Sequence, residues 1–207
     1  MIFTARVTGG LKTLLLLLLW SLVLTSPNSV SAQSTFDFVN YVPGVLDAPV
    51  FDASGNRLAG SNYVAMLYGG PIVDSLTPAK DYPSRQIMVP TPFSLMPFGQ
   101  SGYFDYDRLV AIFTVSPMGF AWLQVRAWDA RLGASYETVA ALGIGGYGES
   151  TVFHALGGDP GGGVPTLPGL LIGLESFSLR AVVPEPNPTL LFFLGLPWLL
   201  WRCWRRR

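Results

Sequence analysis

The chain has 207 residues, of which 50% are hydrophobic and 13% charged, and its 13 basic side chains balance its 13 acidic ones. The balance hides a division, because six of the bases lie before residue 33 or after residue 201, whereas every acid follows residue 33. Residues 33 to 183 carry 12 acids and 7 bases, a net charge of −5, which argues against a nucleic-acid partner because phosphate binding requires clustered Lys and Arg. A single cysteine, Cys203, excludes an internal disulfide and a cysteine-based zinc site.

The first predicted element is a secretory signal peptide over residues 1 to 32. Arg6 and Lys12 give it a positive start, residues 14 to 24 form an apolar run, and small residues precede a cleavage point between Ala32 and Gln33. The alternative is an uncleaved membrane anchor, but this run would span only about 16 Å as a helix, against a hydrocarbon core of about 30 Å. Removal by signal peptidase is therefore the favoured interpretation.

The body, residues 33 to 183, is predicted to be one all-β domain. Its clearest strand covers residues 121 to 128, where small apolar residues alternate with larger or polar ones. A short helix is predicted over residues 135 to 142, because Ser135 is a good N-cap residue. Short strands of this kind favour a single β-sandwich of jelly-roll or immunoglobulin-like type, flanked by an N-terminal signal helix and a C-terminal hydrophobic helix. The other predicted strands are residues 35 to 39, 63 to 68, 109 to 115, 151 to 156 and 175 to 183.

Glycine and proline content predicts the loops and turns. Residues 71 to 102 hold six prolines, which exclude central strands except for short pieces such as residues 86 to 89. Residues 157 to 169 hold six glycines and three prolines and are predicted to form a loop or a flexible link. Tight turns are expected at residues 52 to 56 and 116 to 119.

The chain closes with three segments, over residues 184 to 207. Pro184, Glu185 and Pro186 resist helix formation and mark the end of the body. The apolar residues 190 to 201 would make about 18 Å of helix, which is marginal for crossing a bilayer, and a basic cluster after them would stay on the cytoplasmic side. The alternatives are a hydrophobic helix packed on the body and a disordered tail. The basic cluster consists of Arg202, Arg205, Arg206 and Arg207.

This tail, paired with an N-terminal signal, resembles the PEP-CTERM sorting signal of Gram-negative bacteria. Residues 62 to 70, 124 to 130, 133 to 137 and 176 to 179 are also similar to the body of exported PEP-CTERM proteins. The resemblance implies export across the inner membrane, transient residence there, and processing by exosortase, a membrane-embedded enzyme. It further implies delivery to the cell envelope, the surface or the extracellular matrix in bacteria that make extracellular polysaccharide. It implies no activity for the body.

The body offers few groups for catalysis. Its one histidine, His154, lies in a predicted strand and no Gly-x-Ser-x-Gly elbow is present, so we predict no catalytic residue. Asp105 and Asp107 could share a hard cation, but a solvated polar edge beside Arg108 is the favoured interpretation. We therefore expect neither a metal nor a cofactor.

Aromatic side chains are the remaining candidates for ligand contact. Flat rings could contact sugars, although Phe104 and at least one tryptophan are expected in the core instead. The sequence predicts a non-enzymatic exported surface protein. The alternatives are a carbohydrate-binding module that acts on exopolysaccharide and a secreted hydrolase without a recognised motif. The candidate glycan contacts are Tyr103, Tyr106, Trp122 and Trp128.

Overall fold

The computed structural model describes residues 33 to 96 and 100 to 182, and their structure is mostly β. The predicted signal peptide, residues 1 to 32, and the predicted tail, residues 184 to 207, lie outside the described residues. No helix within the described residues has the length and apolar character to cross a membrane. The strands are β1 (Ser34–Val39), β2 (Tyr41–Val42), β3 (Leu46–Asp47), β4 (Val50–Phe51), β5 (Gly60–Gly70), β6 (Thr77–Pro78), β7 (Lys80–Asp81), β8 (Thr91–Met96), β9 (Gln100–Tyr103), β10 (Asp105–Ile112), β11 (Phe120–Asp129), β12 (Tyr147–Glu149), β13 (Phe153–Leu156) and β14 (Phe177–Ser178).

Most of these strands belong to two sheets. A seven-stranded sheet has the order β12-β11-β5-β8-β9, with β13 also paired to β11 and β6 to β5, and a three-stranded sheet has the order β1-β10-β7. Two small pairs complete the β structure, β2 with β3 and a parallel pair of β14 with β4. The predicted all-β class is therefore confirmed.

The antiparallel pair of β11 and β5 forms the middle of the larger sheet, with Trp122 opposite Gly70 at one end and Asp129 opposite Tyr63 at the other. The alternation in β11 produces two faces, as predicted. One face is entirely in the core, where its four small apolar side chains are 0% exposed. These residues are Ala121, Leu123, Val125 and Ala127.

One short helix, α1 (Tyr136–Leu142), lies against the same sheet. The Ser135 hydroxyl accepts a hydrogen bond from the backbone N–H of Thr138 at 3.2 Å, which makes Ser135 the N-cap residue that was predicted. Gly143 ends the helix in the left-handed conformation.

The proline-rich segment contains more strand than its composition predicted. Strand β8 lies within it and pairs with β5, and Pro92 occupies the position where the register between these strands shifts. An irregular position tolerates proline because no regular ladder hydrogen bond is lost there. Residues 86 to 89, where a short strand was expected, contribute only an isolated bridge between Ile87 and Lys80.

Other strand boundaries also differ from the prediction. Of residues 175 to 182, the structure assigns only β14 to a strand. Beyond it, Leu179 donates a backbone hydrogen bond to Phe51 of β4, and Arg180 exchanges backbone hydrogen bonds with Gly146 and Tyr147. Strand β10 starts earlier than predicted and stops at Ile112, where a turn closes with a bond from Val115 N to the Ile112 carbonyl. Residues 157 to 169 form a loop, as predicted, and Gly158 and Gly169 hydrogen-bond to β1.

The backbone of Ala181 and Val182 packs tightly on Gly145. Gly143 and Gly145 both have positive φ, 69° and 94°, so alanine at either position should cost about 1 kcal/mol or more. A Cβ at Gly145 would also overlap the Ala181 carbonyl oxygen, whereas a Cβ at Gly143 would meet no atom within 4 Å. Gly145→Ala should therefore lose about 1–3 kcal/mol more unfolding free energy than Gly143→Ala. Urea unfolding of both variants measures the difference, and equal losses would contradict this packing.

Candidate functional site

The outer face of β11 is divided into a covered half and a bare half. This face carries the even-numbered residues, whose neighbours across β5 are Gly70, Tyr68, Met66 and Val64. Helix α1 covers the half near Arg126 and Trp128. In the half beyond that cover, Phe120 is exposed to solvent and Trp122 is partly buried.

Arg126 is the centre of the covered half. Its guanidinium carbon lies 4.1 Å from the centroid of the Tyr68 ring and 5.0 Å from that of Tyr136. Its nitrogens are 3.4 Å from a carboxylate oxygen of Glu137 and 3.8 Å from one of Glu149. The side chain is only 22% exposed, so both aromatic and ionic contacts act on a largely desolvated cation.

The two tyrosines complete this cluster. Tyr68 donates its hydroxyl hydrogen to Glu137 at 2.7 Å, and Tyr136 donates to Glu149 at 3.0 Å. Burial, followed by these hydrogen bonds to carboxylates, raises the pKa of both tyrosines well above the ordinary value. Two carboxylates face one guanidinium, so the cluster keeps a net charge of −1, and its ion pairs, hydrogen bonds and ring contacts hold α1 against the sheet.

The bare half carries a row of three aromatic side chains, Phe120, His154 and Trp122, which we call the aromatic row. The Phe120 and His154 rings stack with centroids 4.6 Å apart and an interplanar angle of 14°. The Trp122 ring lies 4.9 Å from His154 at an angle of 40°. Phe120 is 58% exposed, and Leu156, its partner across the strands, is 47% exposed.

The alternation of β13 brings His154 into this row. Phe153 and Ala155 point into the core, so His154 and Leu156 point outward beside β11. On the other side, Trp122 lies opposite Gly70, which has no side chain to cover it. Gly70 is required there because a Cβ would meet the Ser75 carbonyl oxygen at 2.5 Å.

The structure changes the set of predicted glycan contacts. Tyr103 and Trp128 are each 1% exposed, so the prediction that they contact a ligand is wrong. Tyr103 donates its hydroxyl hydrogen to Asp47, and the Trp128 indole donates to the Gly133 carbonyl. Tyr106 is half-buried and belongs to the other sheet, where it donates to Asp81. Of the four candidates, only Trp122 lies in the aromatic row, while Phe104 is in the core as predicted.

Phe120 lies in the aromatic row but was not among the candidate contacts predicted from the sequence. Phe120 has the same parity as Trp122 and could have been added by extending the alternation one residue toward the N-terminus. His154 lies in a strand, β13, as predicted, and its side chain is exposed at the sheet surface. Its proximity to Phe120 and Trp122 depends on the β11–β13 register, which no local pattern predicts.

The carboxylates that the sequence singled out lie at a solvent-exposed strand edge, for Asp105 and Asp107, and in a turn, for Asp52. Asp105 and Asp107 are both exposed, and Asp107 lies 3.9 Å from Arg108. Burial, and then the charge of Asp105, raises the pKa of Asp37. The predicted turn at residues 52 to 56 is confirmed, since Asp52 accepts hydrogen bonds from the backbone of Ser54 and Asn56.

Within residues 33 to 96 and 100 to 182, no group of three or more His, Cys, Asp or Glu residues is assembled for a metal ion. His154 contacts aromatic rings, and in the described part of the chain it forms no hydrogen bond with a Ser, Asp or Glu side chain. The predicted sorting residues Pro184, Glu185 and Pro186 lie outside the described residues, as do Ala32 and the terminal arginines. Gln33, on the other side of the predicted cleavage point, is the first described residue.

No protein-family model, no curated protein and no solved structure matches the chain.

The Arg126 cluster predicts a stability loss at high pH. Because the folded-state pKa values of Tyr68 and Tyr136 lie above the ordinary value of about 10, their stabilisation is complete below about pH 10 and is lost as the pH rises through the folded values. Replacing both residues by phenylalanine should make the fall in unfolding free energy shallower. Urea unfolding between about pH 8 and pH 11 measures this fall in unfolding free energy with pH. The same slope in the double variant and in the natural chain would contradict the tyrosine–glutamate hydrogen bonds described above.

Proposed function

We propose that this chain is an exported protein of a Gram-negative envelope, delivered to the cell surface or the extracellular matrix, and that its body is non-enzymatic. The observation that carries the proposal is the C-terminal order of Pro184-Glu185-Pro186, an apolar segment and an arginine cluster, paired with an N-terminal signal. In this proposal signal peptidase removes residues 1 to 32 and an exosortase-like enzyme processes the tail. The inner membrane holds the chain only transiently.

Contacts near both ends of the body support this division of the chain. Ser34 is 0% exposed and starts β1, directly after the proposed cleavage point at Ala32. At the other end, the Arg180 N–H still donates to the Tyr147 carbonyl at 2.8 Å, shortly before Pro184. Removal of residues 1 to 32 and processing within residues 184 to 207 would leave the Ser34 packing and the Arg180–Tyr147 hydrogen bond intact.

We also propose that the two larger sheets are the layers of a single β-sandwich of jelly-roll or immunoglobulin-like type. Contacts between residues of the two sheets support this. A Cβ at Gly69 in β5 would meet Ile112 of β10 at 2.6 Å. The Phe38 ring of β1 stacks on Phe104 with centroids 4.4 Å apart, and Phe93 of β8 packs on the same ring at 5.8 Å.

The sorting proposal predicts the result of replacing Pro184, Glu185 and Pro186 by alanine. The unprocessed, membrane-associated form should accumulate, because the tripeptide lies outside the body and should serve recognition and not packing. Intact mass of the protein from the cell envelope and from the medium measures both cleavages together.

A matched control is Glu175→Ala, which likewise replaces a glutamate by alanine but at an exposed position inside the body. It should be processed like the natural chain. If the triple variant kept the mass and the fractionation of the natural chain, the tail would not be a sorting signal.

A second candidate function is a carbohydrate-binding module that acts on exopolysaccharide. The specific observation that favours it is the aromatic row, because exposed rings on a rigid sheet can contact the apolar faces of sugars. This function is compatible with export and needs no catalytic group.

A further inference from the structure

The aromatic row combines exposed rings with polar groups that are free to bind a ligand. Within the described residues, the Trp122 indole N–H and the His154 ring nitrogens form no hydrogen bond, whereas the buried Trp128 indole donates to Gly133. A purely apolar partner would leave these groups without hydrogen bonds if it covered them, and that costs free energy. The ligand should therefore have both apolar surface and hydrogen-bonding groups.

The charges around the row restrict the ligand further. The row contains no Lys, Arg, Asp or Glu. In the chain, the acid nearest after Gly70 is Asp74, in the short 3-10 helix Val73–Ser75, and the acid nearest after β13 is Asp159. With the body also net negative, phosphates and uronates would be repelled. Charge complementarity therefore favours an uncharged ligand.

We propose that the aromatic row binds a neutral hexopyranose unit of a polysaccharide, an inference that rests on the carbohydrate-binding candidate above. Phe120 supplies the most accessible ring for the apolar C–H face of the sugar, while Trp122 and His154 hydrogen-bond to its hydroxyls. Binding sites of this kind combine aromatic surface with a few polar groups that fix the orientation of the ligand. The row sits on paired strands of the sheet, so it is held in place before the ligand arrives.

The test uses the full chain, purified in a detergent without a sugar headgroup so that the detergent does not compete. Affinity electrophoresis in gels that contain β-glucan, mannan or polygalacturonate measures retention, and titration with glucose and mannose hexaoses measures the dissociation constant. We expect retention by a neutral glycan. Phe120→Ala and His154→Ala should each weaken binding about tenfold, equivalent to about 1.4 kcal/mol.

Two further variants separate a ring contact from general hydrophobicity. Phe120→Leu keeps an apolar side chain but removes the ring, so it should also weaken glycan binding. If the row instead bound an apolar protein surface, Phe120→Leu should leave that binding nearly unchanged. Ile87→Ala is the control, because Ile87 is 60% exposed but lies outside the aromatic row and should leave binding unchanged. Urea unfolding shows whether each variant is folded.

Each contrary result has its own meaning. Retention that survives in Phe120→Ala and His154→Ala would keep the carbohydrate-binding function and overturn this site. Binding only to polygalacturonate, or self-association that Phe120→Ala abolishes, would overturn the neutral sugar as the ligand. No retention by any glycan would overturn the carbohydrate-binding candidate itself, while the sorting proposal is judged separately by intact mass.

Discussion

The pairing of β11 with β5 is the constraint on which the rest of the described structure depends. It sets which side chains of β11 enter the core and which form the outer face. It also places Tyr68 beside Arg126, and so determines where α1 can be fastened. A shift of one residue in this register would exchange the two faces of β11, bringing Arg126 into the core and removing Leu123 from it.

The local pattern of the sequence was sufficient for much of this arrangement. Alternation in β11, the serine cap of α1 and the turn at Asp52 all follow from residues close to one another in the chain, and the structure confirms each of them. The proline-rich segment was harder to predict, because Pro92 is tolerated only where the β5–β8 register shifts. That shift is a property of two strands and is invisible in either strand alone.

The candidate contact residues also show that a local sequence pattern cannot predict contacts between distant parts of the chain. Trp122 and Trp128 share one face of β11, so alternation alone cannot distinguish them. They differ because Trp128 packs against Tyr136 of α1, which leaves it 1% exposed, while no part of α1 covers Trp122. The aromatic row likewise depends on His154, which arrives from β13 through long-range pairing.

The lengths of the two elements explain why a bare half exists. The seven residues of α1 extend about 10 Å, whereas the ten residues of β11 extend about 33 Å. A helix of this length, fastened at Arg126, cannot reach Phe120. An aromatic surface at that end adds nothing to the packing of α1 and exposes apolar area to water at a cost in free energy. The proposed sugar contact therefore lies at this end of the face, where the Phe120 and His154 side chains are exposed and α1 does not reach.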